Sequence, residues 1–303
     1  MWFKNLSLLR LPLEYTPTGV NEFEQALSEH PLRSPGPLEL ETRGFVSPFS
    51  RADAALSHAP NAYRLFCLGT ETRMLPASVL RDAVAERIAE HEAKTGRKPG
   101  KRLRNDMREA ALGELLPRAF IKRARVGAYI DAAHRFLIVD TASDTAAEAV
   151  CTAVRDALGT FPARPLAAEA SLTLLMSEWL ISGELPAGFE LGDQVKLQDP
   201  SDSASTVRGT HIDPTADEIR EHARCGKQVT QLGLTYDGRI SFVLDAKLKL
   251  RGLSFSDGAL EHLDDKAEEG ADADQMFEAE LFLQAEELTR LFSALDGVLR
   301  FVD

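Results

Sequence analysis

The sequence predicts an α+β fold in which mixed antiparallel sheets carry a protruding helical hairpin. Three observations lead there. Short alternating or apolar runs bounded by turn residues recur along the chain, as antiparallel strands do. Asp237-Gly238 stands between two such runs and is the strongest short-range signal for a two-residue β-hairpin. Residues 78–117 hold two consecutive helical stripes, and strand-like sequence resumes soon afterwards, so the helix pair projects from a sheet. With 303 residues, 44% of them hydrophobic, the chain can bury a full core and is expected to divide into two or three structural units.

Residues 2–11, WFKNLSLLRL, have the bulky, partly alternating character of a strand, and residues 21–30 have helical spacing at Phe23, Ala26 and Leu27. After a Pro/Gly loop, residues 42–49 and 62–75 read as strands. In the second, Tyr63, Leu65 and Cys67 alternate with Arg64, Phe66 and Leu68, which predicts a sheet covered on both faces. Pro76 closes that unit. Val79, Leu80, Ala83, Val84 and Ile88 then mark a helix running to about Lys94. A turn at Thr95-Gly96-Arg97-Lys98-Pro99-Gly100 leads to a second helix with Leu103, Met107, Ala110, Ala111 and Leu115 on one side, ending near Pro117.

Strand signals resume at residues 126–131 and 135–140, joined by Ala132-Ala133-His134, and an amphipathic helix over 144–158 covers them. Residues 161–165, FPARP, read as a boundary. Beyond it come a helix over 171–182, strands at 189–198 and 205–212, and a helix over 217–225 stopped by Gly226. Strands at 228–236, 239–244 and 247–255 form a meander, and a helix over 273–299 ends the pattern. No period of 20 to 50 residues marks a repeat protein.

Charge is segregated. Residues 97–125 carry ten basic side chains against three acidic ones, a net of +7 in a chain whose total is −12. Residues 257–303 hold fourteen acids against three bases, a net of −11. Concentrating like charge costs self-repulsion, and a common physical use is attraction to a polyanion, nucleic acid first. The competing reading is a solvated helical hairpin with no partner.

Other classes lack their signatures. There is no GxxxxGK[ST], no Gly-x-Gly-x-x-Gly after a strand and no serine nucleophile elbow, so nucleotide hydrolysis, dinucleotide binding and serine catalysis are not expected. Seven scattered histidines and three distant cysteines, Cys67, Cys151 and Cys225, predict neither a metal site nor disulfides; the thiols read as packing residues. No cofactor is expected. Apolar runs are too short to span a bilayer, and the N-terminal residues lack an export signal, so a cytoplasmic location away from membranes is expected.

Two local constellations remain. Asp237 with Asp245-Ala246-Lys247 is similar to the acid, acid-x-Lys pattern by which some nucleases hold Mg²⁺, while turn and strand-end positions explain the same residues without chemistry. Leu115-Leu116-Pro117-Arg118-Ala119-Phe120 sets an aromatic among Arg118, Lys122 and Arg123 where a helix stops. Phe120 is either core or an exposed contact anchor.

Several separated blocks, in order, carry a more specific resemblance. They are WFKNL at the N-terminus, LLPRAF at 115–120, and Asp131 with Leu137-Ile138-Val139-Asp140. Further on come Leu172-Thr173 with Glu178-Trp179 and Ser182-Gly183, then Asp213, Thr215 and Glu218-Ile219. Together they resemble, nearly end to end, the recombination-associated RdgC proteins of proteobacteria. The resemblance implies a nucleoid-associated, non-sequence-specific DNA-binding protein that forms a ring-shaped homodimer on double-stranded DNA and restrains RecA-promoted recombination, without being an enzyme. The alternative kept beside it is a metal-dependent exonuclease.

Projected onto this chain, residues 1–75 with 118–165 form a central sheet part, 76–117 a helical tip, and 166–303 a base that closes the dimer. Phe120 becomes a dimer-gate residue, with Leu115 and Leu116 beside it. Thr210-His211-Ile212 lacks the basic or amide side chains that family members can carry there, with only Arg208 upstream and Lys227 beyond. DNA contact is therefore expected mainly from Arg97, Lys98, Lys101, Arg102, Arg104, Arg118, Lys122, Arg123 and Arg125, helped by Lys4 and Arg10.

Overall fold

Among the described residues, twelve strands join in one sheet that runs through nearly the whole chain. The computed structural model describes residues 3–49, 55–59, 63–256, 258 and 273–302. Trp2, Ala62 and residues 259–272, the last carrying much of the acidic run, lie outside the described residues. In chain order the elements are β1 (Leu6–Arg10), α1 (Val20–Ser28), β2 (Glu41–Val46), β3 (Ser57–His58), β4 (Tyr63–Met74), α2 (Ala77–Thr95) and α3 (Lys101–Leu115). After a 3₁₀ turn at Leu116–Arg118 come β5 (Phe120–Asp131), β6 (Phe136–Asp140), α4 (Asp144–Leu158), β7 (Arg164–Pro165), β8 (Ala167–Ala168) and α5 (Leu172–Ser182). Then follow β9 (Phe189–Gln198), β10 (Thr206–Thr210), α6 (Asp217–Arg224), β11 (Gln228–Tyr236), β12 (Ile240–Asp245), β13 (Leu250–Phe255), α7 (Ala273–Leu299) and β14 (Phe301–Val302).

The sheet order is β10-β9-β11-β12-β13-β1-β6-β5-β4-β2, with β3 on β4 and β7 on β1; β14 and β8 pair separately. The named pairs are antiparallel, so the α+β expectation holds. Alternation along β4 decides the layers. Tyr63 and Leu65 enter a core with α5 and α7, whereas Phe66 and Leu68 enter a second core with α1 and α4 on the opposite face. The prediction of a sheet covered on both faces is correct for this half of the molecule.

The two halves of the sheet meet where Leu6 of β1 faces Leu250 of β13 and the Leu253 N–H donates to the Lys4 carbonyl at 2.8 Å. α7, about 40 Å long, bridges this seam. Its Gln284 amide bonds the backbone of Phe3 at both N and O (3.2 and 3.3 Å), and Arg239 forms a two-point pair with Glu287 (3.1 and 2.8 Å). Residues 161–165 are packed against this body: Phe161 is buried edge-on to Tyr15, and Arg164 and Pro165 pair with Arg10 and Leu9.

Several boundaries differ from the sequence reading. β5 starts at Phe120, six residues before the predicted strand, because its first half is charged and solvated yet pairs residue for residue with β4. β13 starts at Leu250 instead of residue 247: Leu248 adopts φ +59° in a turn tied down by Asp245. Cys225 is exposed, not packed, while Cys67 and Cys151 are buried; burial pushes the Cys151 thiol up to about 11. Among the described residues no helix is long and apolar enough to cross a membrane.

Candidate nucleic-acid interface

α2 and α3 pack antiparallel, and among the described residues of the two helices Ala111 is the one buried side chain. The half-buried Leu80, Ala83, Val84 and Ile88 and, on α3, Met107 and Leu115 form a thin apolar seam. Such a seam leaves every outer position to solvent, which is why the hairpin projects. Its bend is made by Gly96, whose φ of +66° is the left-handed cap that stops α2, and by the buried Pro99 before α3.

The root of the hairpin is held by polar contacts. Arg87 pairs with Glu114 at 2.7 Å. Arg73 of β4 donates to the carbonyls of Leu116 (3.1 Å), Pro117 (3.3 Å), Pro35 (3.0 Å) and Gly36 (3.3 Å), tying the 3₁₀ turn to the 35–40 loop. One guanidinium thus fixes where α3 hands over to β5.

The predicted cations fall into distinct groups. Arg97, Lys98, Lys101, Arg102 and Arg104 crowd the bend, are exposed, and make no ion pair among the described residues. Arg118 and Lys122 are likewise exposed and unpaired at the root, separated from the bend by α3, about 21 Å. Arg108, exposed on α3 between the two groups, belongs with them. The charge count found it; its helical face was needed to place it.

Arg123 and Arg125 lie on the other face of β5 from Lys122, because strand side chains alternate. Arg123 pairs with Glu71 at 2.8 Å, and this hydrogen bond holds the buried carboxyl below its ordinary range, while the guanidinium remains 76% exposed. Arg125 donates to the carbonyls of Ser47 and Phe49. Both therefore brace the sheet. Arg10 is half-buried over the Phe136 ring, 4.8 Å from its centroid, and donates to the His134 carbonyl. Lys4 is exposed at the β1–β13 seam, its backbone N–H on Asp140. The structure does not bring Lys4 and Arg10 to the hairpin.

Phe120 is 87% exposed, which removes the core reading. Met74, directly opposite on β4, is 53% exposed, so the root carries an apolar pair beside Lys122. Leu115 is half-buried and Leu116 is buried in its own chain, where it supports the turn and offers no outer surface. Met74 was missed by sequence reading because only the strand register places it opposite Phe120.

The acid pattern does not converge. Asp237 has φ +52° and Gly238 φ +64°, the two left-handed positions of a type I′ turn, at one end of β12. Asp245 lies at the other end, roughly 20 Å away along the strand. It is buried and saturated, accepting from the N–H groups of Lys247 (2.9 Å) and Lys249 (3.1 Å) and from Arg251 (2.9 Å). Lys247 and Lys249 both reach Asp144 (3.0 and 2.5 Å), whose carboxyl is held down to about 2, chiefly by the Lys249 hydrogen bond. Among the described residues no cluster of His, Cys, Asp and Glu is arranged to hold a metal.

Fold and site together define an α+β protein with a cationic helical arm and an exposed aromatic at its root. A family model described as "Putative exonuclease, RdgC" matches residues 1–301. A recombination-associated protein RdgC from Xanthomonas campestris pv. campestris (strain B100) is 38% identical over 301 residues, covering 99% of this chain and 98% of the relative. Proteins of the same name from Xanthomonas oryzae pv. oryzae (strain MAFF 311018) and Stenotrophomonas maltophilia (strain R551-3) are 37% identical over 301 residues and 39% over 297, each covering at least 98% of this chain and 97% of the relative. The chain belongs to the RdgC family, as its sequence blocks implied.

Proposed function

We propose that two copies of this chain close around duplex DNA, hold it through phosphate contacts without reading sequence, and thereby restrain RecA-promoted recombination in the nucleoid. The carrying observation is the projecting hairpin, whose bend carries exposed cations that make no ion pair among the described residues, in a chain of net charge −12. Lys and Arg supply affinity to the phosphate backbone that is independent of base sequence. The exposed Phe120–Met74 pair suits closure against a second copy, since a two-fold axis uses such a contact twice. DNA enclosed in this way is unavailable to a recombinase filament, so the antagonism is steric. The relatives' name, recombination-associated protein, agrees with this reading.

Binding to duplexes of unrelated sequence, measured from 50 to 200 mM salt, tests it. A protein neutralising roughly 6–10 phosphates loses about 10³–10⁵ in affinity over that range, equally for every sequence. A flat salt response, or strong preference for one sequence, refutes the reading. The family description also names an exonuclease, but the acid pattern that first suggested one is dispersed over the two ends of β12.

A further inference from the structure

We propose that residues 33–40 are a strap that holds the hairpin at one angle to the sheet through Arg73, and that the hairpin swings when the strap releases. This inference deepens the enclosure reading above, on which its consequence for DNA rests, by naming the device that decides when the arm is closed.

The hairpin is attached as a hinged arm. Its two connectors, Leu75-Pro76 and the 3₁₀ turn, leave the sheet side by side where Met74 faces Phe120. Beyond them α2 buries no side chain and α3 buries only Ala111, and the apolar seam lies between the two helices. An apolar face docked on a core would fix the angle, and among the described residues the pair presents none. Segments with so few buried apolar contacts move at low free-energy cost. Leu116, 1% exposed, marks the fulcrum.

Polar contacts supply the hold instead. Arg73 reaches in two directions, to the carbonyls of Leu116 and Pro117 on the arm and to those of Pro35 and Gly36 on the strap. Satisfying the last carbonyls of a helix accounts for the first two. It does not account for Pro35 and Gly36, which belong to no helix. The strap has a shape of its own: Arg33 grips both Glu39 oxygens (2.5 and 2.7 Å), the Gly36 N–H donates to the same carboxylate (2.7 Å), and the Thr42 hydroxyl donates to the Arg33 carbonyl (2.6 Å). The Arg33 hydrogen bond holds the Glu39 carboxyl down to about 2, so this fastening persists through the neutral range. Both side chains are nevertheless well exposed, and exposed pairs contribute little, which leaves a fastening that can release. Leu38, 71% exposed, rests beside Gly113 of α3, where an added Cβ would come no closer than 3.9 Å to its Cδ2. Helices lock where side-chain ridges fill grooves. A glycine at this point offers no ridge, so the contact can slide.

Spin labels introduced as Ala93→Cys near the bend and Thr152→Cys on α4, both exposed, read the angle as a distance in the full chain carrying Cys225→Ser. The otherwise unaltered protein is expected to give one narrow distance distribution. Arg33→Gln/Glu39→Gln, which loosens the strap and leaves Arg73 and the turn intact, should broaden it, and Arg73→Gln should broaden it further. On a covalently closed duplex circle at low salt both variants should load about tenfold faster, the factor for one hydrogen bond to a charged group. Loading on linear duplex should not change. A distribution as narrow in the Arg33/Glu39 variant as without it overturns the strap, because the bonds from Arg73 to the turn would then set the angle alone. Broadening without faster loading on the circle overturns its role in closure. If Arg73→Gln does not fold, the double variant decides. Should the distances respond while wild-type protein loads equally fast on circle and linear duplex, the strap stands and enclosure is the reading that fails.

Discussion

Replacing Phe120 by Ser is expected to separate closure of the proposed dimer from folding of the subunit. The ring is 87% exposed at the start of β5, so its removal deletes almost no packing within one chain, and the subunit should lose no more than about 0.5 kcal/mol. Docked into a partner, the same ring contributes about 1.5–3 kcal/mol. A two-fold contact uses it twice, giving roughly 3–6 kcal/mol, or about 10²–10⁴ in the closing equilibrium. The assay is residence time on a covalently closed duplex circle after a jump to high salt, compared with the same circle linearised. Wild-type protein should persist on the circle and leave the linear form. The Ser variant should leave both at the linear rate, with an unchanged unfolding midpoint. Unaltered persistence on the circle refutes the assignment of Phe120 to closure.

Asp245→Ala should cost about 2–4 kcal/mol in urea unfolding, because it strips a buried acceptor from two backbone N–H groups and Arg251. Metal-dependent DNA cleavage that this variant abolishes without destabilising the fold would instead restore the nuclease reading. Asp144 has its carboxyl depressed to about 2 by Lys249 and Lys247, so its contribution is complete above about pH 4 and disappears as pH falls through 2. The difference in unfolding midpoint between wild type and Asp144→Asn should therefore be flat from pH 7 to 5 and shrink at lower pH; a constant difference down to pH 2 contradicts the pairing. Arg73→Gln removes four backbone contacts at the hairpin root. Amide exchange in α3 should accelerate in that variant while β11 and β12 keep wild-type protection.

Much of this architecture was legible because local chemistry and tertiary packing agree. Asp237-Gly238 specifies its turn wherever it occurs, and the alternation at Tyr63–Leu68 was apolar on both faces because helices cover both. The first half of β5 was illegible for the opposite reason. Residues 120–125 are mostly charged and solvated, and what makes them a strand is the pairing partner on β4, 46 to 56 residues away. The same rule governs the site. Charge density revealed the hairpin cations, but sequence gave no sign that Arg123 and Arg125 are engaged by Glu71 and by the carbonyls of Ser47 and Phe49.

Sedimentation velocity of the full chain, alone and with a 30-base-pair duplex, bears most directly on the central claim that paired subunits surround DNA with their cations turned toward it. The account predicts two chains in the free protein and two chains per duplex in the complex, dissociating from DNA but not from each other as salt rises. A single chain in solution, or one chain bound per duplex, contradicts it.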